Sequence, residues 1–337
     1  SFPVITTIAK TITSENINEV YPTYYPPRKT PKECYEQIIA DLTDAEQYAP
    51  DNDNSDRTKM TKTVAQAMLA KVYAEKEVQD YDKVIAYADK VMNTTGVELE
   101  DSYETLWGYD ETAIDCMKRN TKEGILEVHW SGGGNWETWM YGRQLDNWDY
   151  YFTWAKWITP SRDIINDFDK EGDEVRKNQA IVYYACTWSN YYPASNYPFM
   201  YKLRSSYNNI YWVRLADIIL MKAEAEAYKG NLAESAKLVN QIRKRAKLKE
   251  LTSDKTGSKE SMIEAVLHER RLELAFEGER WFDLCRNNKV EQYLNGIDNR
   301  DSGRIRQVRQ FDSNSYLLPI PQTALDQNTN LEQNPGY

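Results

Sequence analysis

The chain has 337 residues, with 42 Lys plus Arg against 52 Asp plus Glu, a net charge of −10 and a pI near 5.0. A field of that sign repels phosphate backbones and argues against a nucleic-acid partner. A mean hydropathy of −0.75, with apolar runs only a handful of residues long, leaves no stretch that reads as a membrane-spanning helix.

The unusual quantity is aromatic: 10 Trp and 25 Tyr stand against only 7 Phe. Rings with a polar handle suit surfaces that stack on ligands as well as cores. Two His leave little room for His-based chemistry, and Cys34, Cys116, Cys186 and Cys285 are spaced too widely for a zinc or thioredoxin-like pair. Four free, buried thiols are expected. The chain opens at Ser1 without an initiator Met, a basic n-region, an apolar h-region or a nearby Cys for a lipid. It therefore reads as a mature form or an internal fragment.

Residues 1–29 are irregular, since the prolines of Tyr21-Pro22-Thr23-Tyr24-Tyr25-Pro26-Pro27 oppose helix. Thr30, Pro31 and Glu33 then stand at N-cap, N1 and N3, a capping box that predicts a helix over about 31–49. The polar run 51–56 connects it to Ala65, Met68, Leu69, Val72 and Tyr73, one apolar stripe at helical spacing. Val84, Ile85, Ala88, Val91 and Met92 repeat the pattern after a turn at Gln79-Asp80 and complete a helical hairpin over 61–93. A second hairpin is predicted over 210–247, broken at Gly230-Asn231, and a third over 259–287, turning at Gly278. Small Ala residues at the crossing points and a period near 34 resemble degenerate tetratricopeptide repeats, whose hairpins must stack to bury their faces. The frame is thus 30–93 and 210–290, with a separate segment, 94–209, inserted in it and an irregular end, 291–337.

That insertion holds eight of the ten Trp. Leu126 to Trp130 alternates as a short strand and runs into the flexible Ser131-Gly132-Gly133-Gly134-Asn135. Trp136 and Trp139 follow, with Tyr141 and Arg143 beyond. A polar, Gly-rich loop is poorly suited to burying two indoles, whereas sugar rings offer an apolar C–H face to an indole and hydroxyls to polar neighbours. The predicted ligand platform is Trp107, Trp136, Trp139, Tyr141 and Trp148, with Asn135 and Arg143 as polar contacts.

Other features carry less. The acidic run 51–56 has Asp56 and Lys62 where a calcium loop needs Gly and Glu, so it reads as a solvated connector. The three glycines lack phosphate-loop spacing. In Glu269-Arg270-Arg271-Leu272-Glu273, the pair Arg270/Glu273 reads as a helix-surface ion pair, as does Arg280/Asp283, and His268 reads as a packed histidine. Asp110, Glu111, Glu137, Asp146 and Asp149 lie among the aromatics, so a glycosidase, which needs two carboxylates across one bond, stays open as an alternative. Catalytic, metal-ligating and cofactor-binding residues are otherwise not indicated.

Four stretches in order resemble the SusD/RagB family. They are Tyr211-Trp212-Val213-Arg214-Leu215-Ala216-Asp217 through Glu224-Ala225, then Val239 to Ala246, then Glu269 to Leu284, and finally Leu318-Pro319-Ile320-Pro321 through Asn334-Pro335-Gly336-Tyr337. The resemblance covers roughly 30–337 and implies a mostly α fold with stacked tetratricopeptide-like hairpins and an irregular aromatic insertion. It implies a non-catalytic glycan-binding lipoprotein on the bacterial surface that serves a SusC-like TonB-dependent transporter. Family members carry a leader, a lipidated Cys that anchors them to the outer membrane, and a first helical region ahead of a phrase like Phe2-Pro3-Val4-Ile5-Thr6. RagB-type members imply peptides as an alternative cargo. The matching motifs belong to the frame and transfer no ligand contact.

Overall fold

The computed structural model describes residues 2–110, 112–113, 115–130, 159–186, 191–205, 207–303 and 309–337. Helix α1 (Pro31–Tyr48) begins at the predicted capping box: the Thr30 side chain accepts from the Glu33 N–H, and Glu33 accepts from the Thr30 N–H at 2.9 Å. Helices α2 (Lys62–Ala74) and α3 (Tyr81–Met92) form the first hairpin, capped by Thr61 and Asp80. Strand β1 (Gly124–His129) follows, then α4 (Arg162–Glu171), α5 (Glu174–Ala180), β2 (Ile181–Tyr184), β3 (Tyr197–Met200) and β4 (Asn209–Arg214). Helices α6 (Leu215–Lys229) and α7 (Leu232–Arg245) make the second hairpin, and α8 (Lys259–Glu273) with α9 (Arg280–Arg286) the third.

The hairpins stack as expected for a mostly α protein. Helix α6 lies between α3, α7 and α8, and α2 between α1 and α3. The shared core runs through Val64, Ala88, Ile218, Ala223, Val239 and Val266. Ala at these crossings lets backbones approach, so each hairpin loses to its neighbours the apolar face it could not bury alone. Gly230 ends α6 at φ +85°, where its N–H reaches the Ala227 and Glu226 carbonyls, a conformation that disfavours any residue with a Cβ.

Among the described residues three antiparallel ribbons interrupt the helices, the smallest pairing Tyr109 with Cys116 and Asp110 with Asp115. Strand β1 pairs with β4, with Glu127 opposite Tyr211 and Val128 opposite Ile210, and is bulged between Gly124 and Glu127. Strand β2 pairs with β3, from Ile181 opposite Met200 to Tyr184 opposite Tyr197. Residues 210–214, expected in the second hairpin, are strand: Tyr211 and Val213 are buried while Trp212 between them is exposed, the alternation of a sheet face. None of the four cysteines is in a disulfide, but only Cys34 is buried and the other three are half-buried. The acidic run caps its own turns, Asp53 accepting from Ser55 and Asp56 from Thr58. Among the described residues, no group of three His, Cys, Asp or Glu could hold a metal ion.

Candidate functional site

The motif residues of the frame meet in a buried ionic network. Glu273, at the end of α8, accepts from Arg214 Nη1 at 2.6 Å, Arg176 Nη1 at 3.2 Å and Arg245, and its side chain is wholly buried. Arg214, at the end of β4, also donates to Glu123 at 2.7 Å and to Glu277. Arg176 of α5 bonds Glu269 at 2.7 Å, and Glu269 accepts from Arg243 of α7 at 2.9 Å. A second knot joins Arg270 to Asp217 (2.8 Å) and Asp283 (2.9 Å), and Arg286 to Glu224 (2.7 Å) and Asp283 (2.8 Å). The expected surface pairs Arg270/Glu273 and Arg280/Asp283 are therefore replaced. Arg270 and Glu273 point into different buried knots, and Arg280 donates to the Leu267 carbonyl at 3.1 Å. Burial forces this, since a charge out of water must find every available opposite charge, near or far in sequence.

The electrostatics follow from that packing. Burial would raise the Glu273 carboxyl, but Arg245, Arg214 and Arg176 outweigh it and hold the group well below the usual carboxylate range. Asp217 is likewise held down against burial by Lys71 and Arg270. Lys202 goes the other way. Its ammonium, buried and over the Trp107 ring at 4.5 Å, is pulled down to about 8 by burial, with Glu277 at 2.6 Å opposing. His268 bonds Glu171 at 3.1 Å, and this bond, with burial opposing and Arg243 assisting, draws the Glu171 carboxyl down to about 2. The two residues and Arg243 line a cleft of about 960 Å³ between α4, α7 and α8.

This network clamps the roots of the aromatic insertion. Glu123, just before β1, and Arg214, which ends β4, tie the β1–β4 ribbon to α7 and α8. Tyr103 donates to the Glu273 carbonyl at 2.8 Å. On the far side of β1 the Trp130 N–H donates to the Asn208 carbonyl at 3.1 Å, and Arg119 to the Trp130 carbonyl at 2.6 Å. The chain is held again at Thr159, whose hydroxyl is 2.9 Å from that of Tyr197, and at Pro160, whose carbonyl accepts from Tyr192 at 2.8 Å. Arg162 stacks on Tyr191 and Tyr192, 4.5 and 4.1 Å from their ring centres.

Of the predicted platform, Asn135, Trp136, Trp139, Tyr141, Arg143 and Trp148 lie outside the described residues, as do Glu111, Glu137, Asp146 and Asp149. Trp107 is a core ring: it is 5% exposed, edge-on to Tyr211 at 5.1 Å and covered by Lys202. No face of that indole is free for a sugar, because the Tyr103–Tyr211 cluster needs it as filling, and it leaves the platform. Asp110 caps a turn, accepting from the N–H groups of Thr112 and Ala113. Trp212, which is absent from the predicted platform, is 64% exposed on β4. Its signal in the sequence is the alternation Ile210-Tyr211-Trp212-Val213, which sets Trp212 on the face opposite Tyr211 and Val213.

Comparison with known proteins places this architecture. A model of the SusD family matches residues 46–337, and one described as "Starch-binding associating with outer membrane" matches residues 3–74. The chain belongs to the SusD family. SusD-like protein P2 of Formosa agariphila is 28% identical over 350 aligned positions, which cover 92% of this chain and 66% of that protein, so the chain spans just under two thirds of this curated relative. A SusD superfamily protein from Parabacteroides distasonis superposes with a TM-score of 0.74 at 24% identity, over 100% of this chain and 74% of its own. A structure titled as a putative sugar binding protein from Bacteroides vulgatus gives 0.72 at 24% identity, over 100% of this chain and 70% of its own. At that identity the two likenesses speak to the fold alone. No helix among the described residues is long and apolar enough to cross a membrane.

Proposed function

We infer that this SusD-family chain binds oligosaccharide or polysaccharide at the cell surface and delivers it to a SusC-like TonB-dependent transporter, held at the outer membrane by a lipid anchor. Binding without turnover is the reading. The family match over residues 46–337 carries it. Two features support it: the outer-membrane starch-binding description attached to residues 3–74, and the Trp-rich stretch at 131–158, rooted on a frame cross-tied by buried ion pairs. Such a frame suits stacking, since an indole with only two χ angles loses little entropy when a ligand fixes it. Trp136, Trp139, Tyr141 and Trp148 are the proposed rings, and Asn135 and Arg143 the polar contacts.

Native affinity electrophoresis through gels cast with soluble starch, laminarin, xylan or pectin tests this, with a casein digest as peptide competitor. Retardation in at least one polysaccharide gel, with no reducing ends released over a day, is expected. Migration unchanged in all four gels, alongside calorimetric binding of the peptides, would replace this reading with a peptide-binding one.

A further inference from the structure

We propose that the outer face of the β1–β4 ribbon is a stacking subsite for an extended glycan chain, built on Trp130 and Trp212. The proposal rests on the glycan-binding reading above and adds to it a site and a length requirement.

Register defines the face. With Val128 opposite Ile210, and Glu127 and His129 opposite Tyr211 and Asn209, alternation sends one set of side chains inward and the other outward. The inward set is visibly inward: Glu127, Asn209 and Tyr211 are buried. The outward set is Val128, Trp130, Ile210 and Trp212. Trp212 is 64% and Val128 36% exposed, and Ile210 and Trp130 are half-buried. Trp130 keeps the alternation one rung past β1, because its N–H still bonds the Asn208 carbonyl at 3.1 Å.

Trp130 lies two residues beyond Val128, and Trp212 two residues beyond Ile210 in the opposite direction. The two indoles are thus four rungs apart, about 14 Å at ~3.4 Å per residue. Val128 and Ile210 make an apolar floor between them. A partly exposed charged group, already ion-paired with a neighbour, stands at each end. At one end is Arg119, whose guanidinium bonds the Trp130 carbonyl and is 23% exposed. At the other is Glu279, which shares a hollow with Trp212 and is 19% exposed.

Size selects the occupant. Four side chains on a two-stranded ribbon offer on the order of 300–400 Å², well short of the ~800 Å² each partner gives to a stable protein interface. A strip that long, narrow and ring-terminated fits a linear chain of sugars lying along it.

The full chain is titrated calorimetrically with whichever gel polysaccharide retards it most, and with size-fractionated hydrolysates of that polysaccharide from the disaccharide upward. Trp212→Ala and Trp130→Phe are compared with wild type, with circular dichroism reporting folding. Trp212→Ala is expected to weaken polymer binding about tenfold or more, to leave disaccharide binding within about twofold, and to leave thermal unfolding unchanged. Trp130→Phe should keep most of the affinity. Unchanged polymer affinity in folded Trp212→Ala, or an equal loss for disaccharide and polymer, overturns this subsite while leaving the glycan-binding reading in place. A wild type that binds none of the four polysaccharides overturns both.

Discussion

Replacing Glu273 by Ala removes the carboxylate on which three buried guanidiniums converge, Arg214 at 2.6 Å, Arg176 at 3.2 Å and Arg245. Breaking one side of a buried ion pair costs about 3–5 kcal/mol, because the charge left behind is desolvated and unpaired. Here the bereaved groups keep other partners: Arg214 and Arg245 retain Glu123, and Arg176 retains Asp173 and Glu269. The lower end of that range applies, roughly 3 kcal/mol, which for a chain of 337 residues lowers the midpoint of thermal unfolding by about 4 °C. Glu260→Ala, on the exposed first turn of α8, is the control and should stay within about 0.5 kcal/mol of wild type. The acid limb gives an independent sign. The Glu273 carboxyl is held below its ordinary value, so its stabilisation is complete above about pH 4.5 and fades as pH falls. The gap between wild type and Glu273→Ala should therefore shrink from pH 7 to pH 3, as followed by circular dichroism melts. A loss under 2 °C at pH 7, or a gap that widens in acid, refutes the claim that this network cross-ties the frame.

Lys202 has the opposite sign. With its amine drawn down to about 8 by burial, the folded chain binds fewer protons than the unfolded one between about pH 8 and 10.5, so wild type should gain stability relative to Lys202→Met as pH rises through that window in parallel melts. Trp107→Ala should cost about 3–5 kcal/mol in urea unfolding, as a core ring does, and a small change would return Trp107 to the surface. Thr30→Ala should cost about 1 kcal/mol by loss of the cap on α1, measured in the same way.

What was legible in the sequence is local. The Thr30/Glu33 box and the apolar stripes of α2, α3, α6 and α8 are written within one or two helical turns, and the helices form where those patterns stand. Strand β4 escaped because its partner β1 lies some 85 residues earlier and its Tyr-Trp-Val core continues straight into the apolar run of α6. The ionic network escaped for a related reason. Arg270 and Glu273 are neighbours in sequence, but burial pairs them with Asp217, Asp283, Arg176, Arg214 and Arg245, which only the tertiary fold brings near. Composition announced an aromatic segment but could not sort its rings. Trp107 lies in the core and Trp212, inside a frame motif, stands in solvent.

Trp136 and Trp139 are proposed to serve a ligand instead of the core. Each is changed to Ala, and the dissociation constant for the best-retained polysaccharide is measured by calorimetry beside the melting temperature of the same sample. Loss of an aromatic anchor is worth about 2 kcal/mol, roughly thirtyfold in affinity, so binding should weaken by tens of fold while the melting temperature stays within about 1 °C. A sharp fall in melting temperature with either substitution, or affinity unchanged in both, contradicts it.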